Sequence, residues 1–90
     1  MYTDSFTGVN KETVLSALQD TLKAKTLSVA RVKLMVAYAS MSTLTYTATG
    51  KLYSRVIEAN AHARYAMESD LRNDFNAYVL RAYKILKEAD

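Results

Sequence analysis

The sequence predicts an all-α protein, either a helical hairpin or a small three- to four-helix bundle, that assembles as a homo-oligomer. The chain contains no proline and only two glycines, Gly8 and Gly50, so little in it interrupts a helix. Apolar residues recur in steps of three and four along most of its length. Ninety residues without a cysteine supply one small core and no disulfide framework, which makes a second subunit an expected source of stability.

We expect one α-helical domain, residues 1–90, divided into four segments. These are an N-terminal arm at 1–9, a first helical arm at 10–42, a turn at 43–51, and a second helical arm at 52–89 that is kinked or broken near 68–70.

The first helix begins at a clear N-terminal signal. Asn10 is a favourable N-cap, and Val9 and Val14 stand at the positions of a hydrophobic staple. The same stretch matches half of a helix-turn-helix DNA reader, with polar residues and Thr13 at the start of the reading helix. That motif needs a preceding helix of two turns, for which only residues 1–7 are available. We therefore favour the capped helix start.

Within the first arm, apolar residues form a seam of the kind by which one helix packs along another. Its members are Leu15, Leu18, Leu22, Val29, Val32, Val36 and Ala39, with Lys25 in the one gap. We favour a single long helix bent near Lys25, because no glycine, proline or capping box marks a stop. Two helices are the alternative, the second capped by Thr26 or Ser28.

The opposite side of the same arm is also apolar. It carries Leu27, Ala30, Leu34, Ala37, Tyr38 and Met41. A helix that is apolar on two sides must bury both of them. We therefore predict a homo-oligomer interface on this second side, with these candidate residues: Leu27, Leu34, Tyr38 and Met41.

A threonine-rich segment separates the two arms, and we predict a turn there because the branched threonine side chain disfavours helix. Its alternating threonines leave a short strand as the alternative. After Gly50 come two apolar stripes that differ in direction by roughly a quarter turn. A break capped by Ser69 or Asp70 would absorb that rotation.

Positive charge is concentrated in the middle of the chain. The net charge is +3, yet residues 21–57 contain six bases and no acid. The candidate anion-binding residues are Lys23, Lys25, Arg31, Lys33, Lys51 and Arg55, and the candidate residues for stacking on a nucleobase are Tyr38, Tyr46 and Tyr53. We favour the alternative, in which the bases are solvated and the tyrosines pack at interfaces.

The sequence carries no recognisable catalytic or metal-binding pattern. His62 is the only histidine, and its neighbour one turn earlier, Glu58, suggests a surface ion pair. Without a second histidine, a cysteine or a glycine-rich phosphate loop, we expect no metal and no cofactor. We accordingly expect a protein that is not an enzyme.

These observations predict a small non-enzymatic interaction module, adaptor- or inhibitor-like, that self-associates and binds a partner protein. The alternative is a binder of an anionic ligand, a nucleotide or nucleic acid, through the basic middle segment. The first eight residues lack the basic and hydrophobic regions of a signal peptide, and no apolar stretch is long enough to span a bilayer. We therefore expect a cytoplasmic protein without a membrane partner.

Overall fold

The computed structural model of the protein describes residues 9–89, which form four α-helices and no β-strand. The helices are α1 (Lys11–Lys23), α2 (Leu27–Leu44), α3 (Gly50–Met67) and α4 (Arg72–Lys87). The predicted all-α class is confirmed, and the chain takes the four-helix form that the sequence left open. None of these helices is both long enough and apolar enough to cross a membrane.

The four helices form a ring in which each packs against its neighbours in sequence and α1 closes against α4. Short connections make consecutive helices antiparallel. Lys11 Nζ donates a hydrogen bond of 2.8 Å to the carbonyl of Ala89, which joins the start of α1 to the end of α4. The α2–α3 turn lies at that end of the bundle, and the α1–α2 and α3–α4 turns lie together at the other.

The start of α1 follows the sequence signal. Asn10 Oδ1 accepts a hydrogen bond of 2.9 Å from the N–H of Thr13, and Val9 packs against the core that contains Val14. This cap satisfies one of the free N–H groups that every helix start leaves. The first helix of the helix-turn-helix alternative would fall on residues 1–7, outside the described residues.

The first arm consists of two helices, so the single long helix favoured from the sequence is wrong. After Lys23 the backbone becomes extended at Ala24, with φ −60° and ψ 139°. Thr26 caps the next helix, because its Oγ1 accepts a hydrogen bond of 3.2 Å from the N–H of Val29. Three non-helical residues separate α1 from α2. The directions in which the α2 side chains point are therefore independent of those on α1.

The break between α3 and α4 is formed by a residue other than the predicted caps, Ser69 and Asp70. Leu71 occupies the N-cap position of α4, without a capping hydrogen bond from its side chain. Ser69 instead donates from its hydroxyl to the carbonyl of Tyr65 at 3.0 Å, and Asp70 lies 3.4 Å from Arg31. Both side chains thus fasten the α3–α4 loop to its surroundings.

The core takes the side of α2 that the sequence assigned to an oligomer interface. Leu34 and Met41 are fully buried, and Leu27 and Tyr38 pack against the core with part of their surface exposed. The predicted interface is therefore wrong at Leu34 and Met41, because the bundle core encloses their side chains. Leucine and methionine remove more apolar surface from water than valine does, and the alanines between them let neighbouring helices approach closely.

Candidate interaction surface

Four large apolar side chains lie exposed along the outer side of α2. Val32 is 62% exposed, Met35 and Val36 are 60% exposed, and Val29 is 46% exposed. We call these four residues the α2 stripe. Their spacing of three and four residues places them on one side of the helix. Contiguous apolar patches on a protein surface mark sites of interaction.

Three of these residues belong to the seam that the sequence predicted to pack inside the fold. The seam is continuous only if residues 10–42 form one helix. Leu15 and Leu18 on α1 are buried as expected, whereas Val32 and Val36 on α2 face outward. The sequence therefore showed that α2 is apolar on two sides, and the break before Thr26 decided which side became the surface.

A shallow groove runs between α1 and α2 beside the α2 stripe. Its volume is about 140 Å³, and it is lined by Ala17, Asp20, Lys33 and Val36. Asp20 and Lys33 are exposed, and among residues 9–89 neither side chain has a hydrogen bond or an ion pair. The groove is thus bordered by one acid and one base, each available to a molecule outside the chain.

Two of the six candidate anion-binding residues are already in use within the fold. Arg31 Nη2 donates a hydrogen bond of 2.7 Å to the carbonyl of Ser69 and lies 3.4 Å from Asp70 Oδ1. Arg55 Nη1 lies 3.8 Å from Glu58 Oε1, so that carboxylate pairs with Arg55. Arg31 therefore acts as a tie between α2 and the α3–α4 loop.

The other four bases are distributed over the molecule. Lys23 and Lys25 are exposed at the α1–α2 turn, Lys51 is exposed near the opposite end at the start of α3, and Lys33 borders the groove. The fold therefore separates Lys51 from Lys23 and Lys25 and does not bring all the bases of this segment to one surface. Helices that run back and forth separate residues that are close in the chain.

The candidate stacking tyrosines are separated in the same way. Tyr46 is exposed in the α2–α3 turn and Tyr53 is exposed on α3, at the end of the bundle opposite Lys23 and Lys25. Tyr38 is half-buried against the core. The two exposed rings thus lie at the end of the bundle that carries Lys51, away from Lys23 and Lys25.

Sequence reasoning missed a cluster of rings between α3 and α4. The ring of His62 stacks on Tyr78 at 6.4 Å between centroids, and the ring of Tyr65 lies 5.7 Å from that of Tyr78. The guanidinium of Arg81 lies 5.6 Å from the centre of the Tyr78 ring. His62 Nδ1 is buried without a hydrogen-bond partner among the described residues. Its spacing from Glu58 gave no sign of this cross-helix packing.

A larger cleft of about 340 Å³ lies between α1 and α4. Most of its lining is polar: Lys11, Glu12, Leu15, Ser16, Gln19, Tyr83 and Lys87. Some of these groups contact one another, because Gln19 Nε2 donates to Tyr83 Oη at 2.9 Å and Lys87 Nζ lies 5.6 Å from the centre of that ring. Small-molecule pockets are mostly apolar, so this cleft fits solvated surface better.

The one histidine and the carboxylates of the described residues do not form a metal site either. Within residues 9–89, no three potential metal ligands of the histidine, cysteine or carboxylate type lie close enough together to hold an ion. The α2 stripe and its adjoining groove are therefore the surface on which we base a function. No protein-family model, no curated protein and no solved structure matches this chain.

Proposed function

We propose that this protein is a small non-enzymatic α-helical interaction module that self-associates through the α2 stripe and leaves its other helices free for a partner protein. The observation that carries the proposal is the exposure of four large apolar side chains on one side of one helix. The bundle core is filled without them, by Leu34 and Met41 among others. Their apolar character therefore serves a contact outside the monomer better than the core.

The apolar area of the α2 stripe limits the affinity of such a contact. Removing a valine or methionine side chain from water contributes about 1.5–3 kcal/mol when burial is complete, and the α2 stripe is already partly covered. A standard protein interface buries about 800 Å² on each side. The stripe and the groove supply part of that area, so we expect a dissociation constant on the order of micromolar.

The non-enzymatic part of the proposal rests on the sequence. His62 is the only histidine and the chain has no cysteine, which leaves few groups suited to proton transfer or nucleophilic attack near neutral pH. In the folded bundle, His62 lies against two tyrosine rings. This packing gives His62 a role in holding α3 against α4.

Light scattering coupled to size-exclusion chromatography tests the proposal. At high micromolar concentration the wild-type protein should approach twice its mass of 10.1 kDa. The double variant Val32→Lys with Val36→Lys should remain monomeric, because it places two charges in the contact. Ile57→Lys is the matched control, since Ile57 is 47% exposed on α3, and it should dimerise like the wild type. A wild-type monomer at high micromolar concentration would overturn the proposal.

Binding of an anionic ligand is the second candidate function, and it has one supporting observation. Lys23 and Lys25 are both exposed at the same turn. An oligonucleotide held by these lysines should dissociate steeply as salt rises, because phosphate contacts release counterions. Fluorescence anisotropy at two ionic strengths measures this effect, with Lys23→Gln plus Lys25→Gln as the variant. Absence of binding at low salt would eliminate this function.

A further inference from the structure

We infer that the α2 stripe is covered by a second copy of this chain, oriented antiparallel and positioned by two reciprocal ion pairs between Asp20 of one copy and Lys33 of the other. The inference rests on the proposed function, because it needs the stripe to be a contact between copies. It adds the orientation of the contact and names the two residues that determine its specificity.

Charge complementarity identifies the occupant. Asp20 on α1 and Lys33 on α2 border the same groove, and neither is paired within the described residues. In a dimer with two-fold symmetry, the same patch of each copy forms the contact. If Asp20 of the first copy contacts Lys33 of the second, then Lys33 of the first copy also contacts Asp20 of the second. A patch with one acid and one base is then complementary to its own image. An acidic partner would be repelled by Asp20 and a basic partner by Lys33, and either repulsion would weaken binding.

The apolar residues fit the same arrangement. Val29 and Val36 lie three residues before and four residues after Val32. An antiparallel partner centred near Val32 therefore places Val29 of one copy opposite Val36 of the other. Ala17 lines the groove beside them, and its short side chain lets a second helix approach closely. The contact therefore combines an apolar centre with charged residues at its edge, as protein interfaces generally do.

The distribution of bases determines the orientation. Lys23 and Lys25 are both exposed at the α1–α2 turn. A parallel contact would bring the two copies of this turn together. Like charges in apposition weaken an interface. An antiparallel contact separates these turns and also opposes the two helix dipoles.

Two single charge reversals provide the test. In Asp20→Lys, both intersubunit contacts would join two ammonium groups, and in Lys33→Asp both would join two carboxylates. Each variant alone should dimerise about tenfold more weakly than the wild type, since exposed ion pairs contribute modestly and their reversal adds repulsion. An equimolar mixture of the two should form a heterodimer with nearly wild-type affinity, because each contact then joins opposite charges.

Native mass spectrometry can identify the heterodimer, because the two variants differ in mass, and sedimentation equilibrium supplies the dissociation constants. The double variant, Asp20→Lys with Lys33→Asp, should dimerise like the wild type. Arg64→Glu is the control, since it changes the charge of an exposed residue on α3. Asp20 and Lys33 are both exposed, so circular dichroism should show the same thermal midpoint for their variants as for the wild type. The differences in dissociation constant between these variants and the wild type should become smaller at high salt.

The outcomes separate the two proposals. A wild-type monomer would overturn the proposed function and this inference together. A dimer that the double variant Val32→Lys with Val36→Lys disrupts, and that neither charge reversal weakens, would overturn only the antiparallel arrangement. A mixture that binds no more tightly than its separate components would overturn it as well.

Discussion

The guanidinium of Arg72 donates a hydrogen bond of 2.7 Å to the main-chain carbonyl of Ala24. It also lies 3.5 Å from the carbonyl of Leu22, and its Nε donates to Asn76 Oδ1 at 2.9 Å. The first residue of α4 therefore holds the turn between α1 and α2, far away in the sequence. Together with the contact of Arg31 to the α3–α4 loop, it fastens the two turns at this end of the bundle.

Replacing Arg72 with alanine should lower the free energy of unfolding by about 1.5–3 kcal/mol, which is the usual contribution of a hydrogen bond to a charged group. Denaturation in urea, followed by circular dichroism, measures this change. Arg64→Ala removes an exposed arginine from α3 and should change the free energy by less than about 0.5 kcal/mol. Equal effects of the two variants would show that the Arg72 contact does not support the turn.

Two substitutions on opposite sides of α2 test which side is buried. Leu34→Ala should lower the free energy of unfolding by about 2–5 kcal/mol, because it leaves a cavity in the core. Val32→Thr keeps the shape of an exposed side chain and should change it by less than about 0.5 kcal/mol in the monomer. Urea denaturation at a concentration below dimerisation separates the two effects. The reverse order would mean that α2 is rotated by half a turn.

Gly50 should be sensitive to substitution for reasons of backbone conformation. Its φ is +59°, and a β-carbon added there would meet no atom within 4 Å. Gly50→Ala should therefore lower the free energy of unfolding by about 1–2 kcal/mol through the cost of the left-handed conformation alone. Gly50→Asn should cost less, because asparagine adopts this conformation more readily. Thermal and urea unfolding of both variants measure the difference, and equal stabilities would contradict it.

Local chemistry is the part of this fold that the sequence predicted well. Asn10 caps α1, and Gly50 stands where α3 begins. Each of these features depends on residues within a few positions of one another. The start of α1 and the all-α class therefore followed from spacing and residue type.

The site depended on a choice between two equivalent sides of α2. Val29, Val32 and Val36 form as regular a stripe as Leu27, Leu34 and Met41, so periodicity alone could not rank them. The ring cluster of His62 and Tyr78 was likewise beyond prediction, because these residues meet only when α3 packs on α4.

By itself, the sequence determined that this chain forms helices, where the first of them begins, and that one of them is apolar on two sides. The tertiary structure decided which side of α2 enters the core and how the basic residues are distributed. The physical reason is that three non-helical residues after Lys23 separate α2 from α1, so the side chains of α2 are not held in the helical register of α1. Packing then buries Leu34 and Met41 and leaves the α2 stripe exposed, beside Asp20 and Lys33.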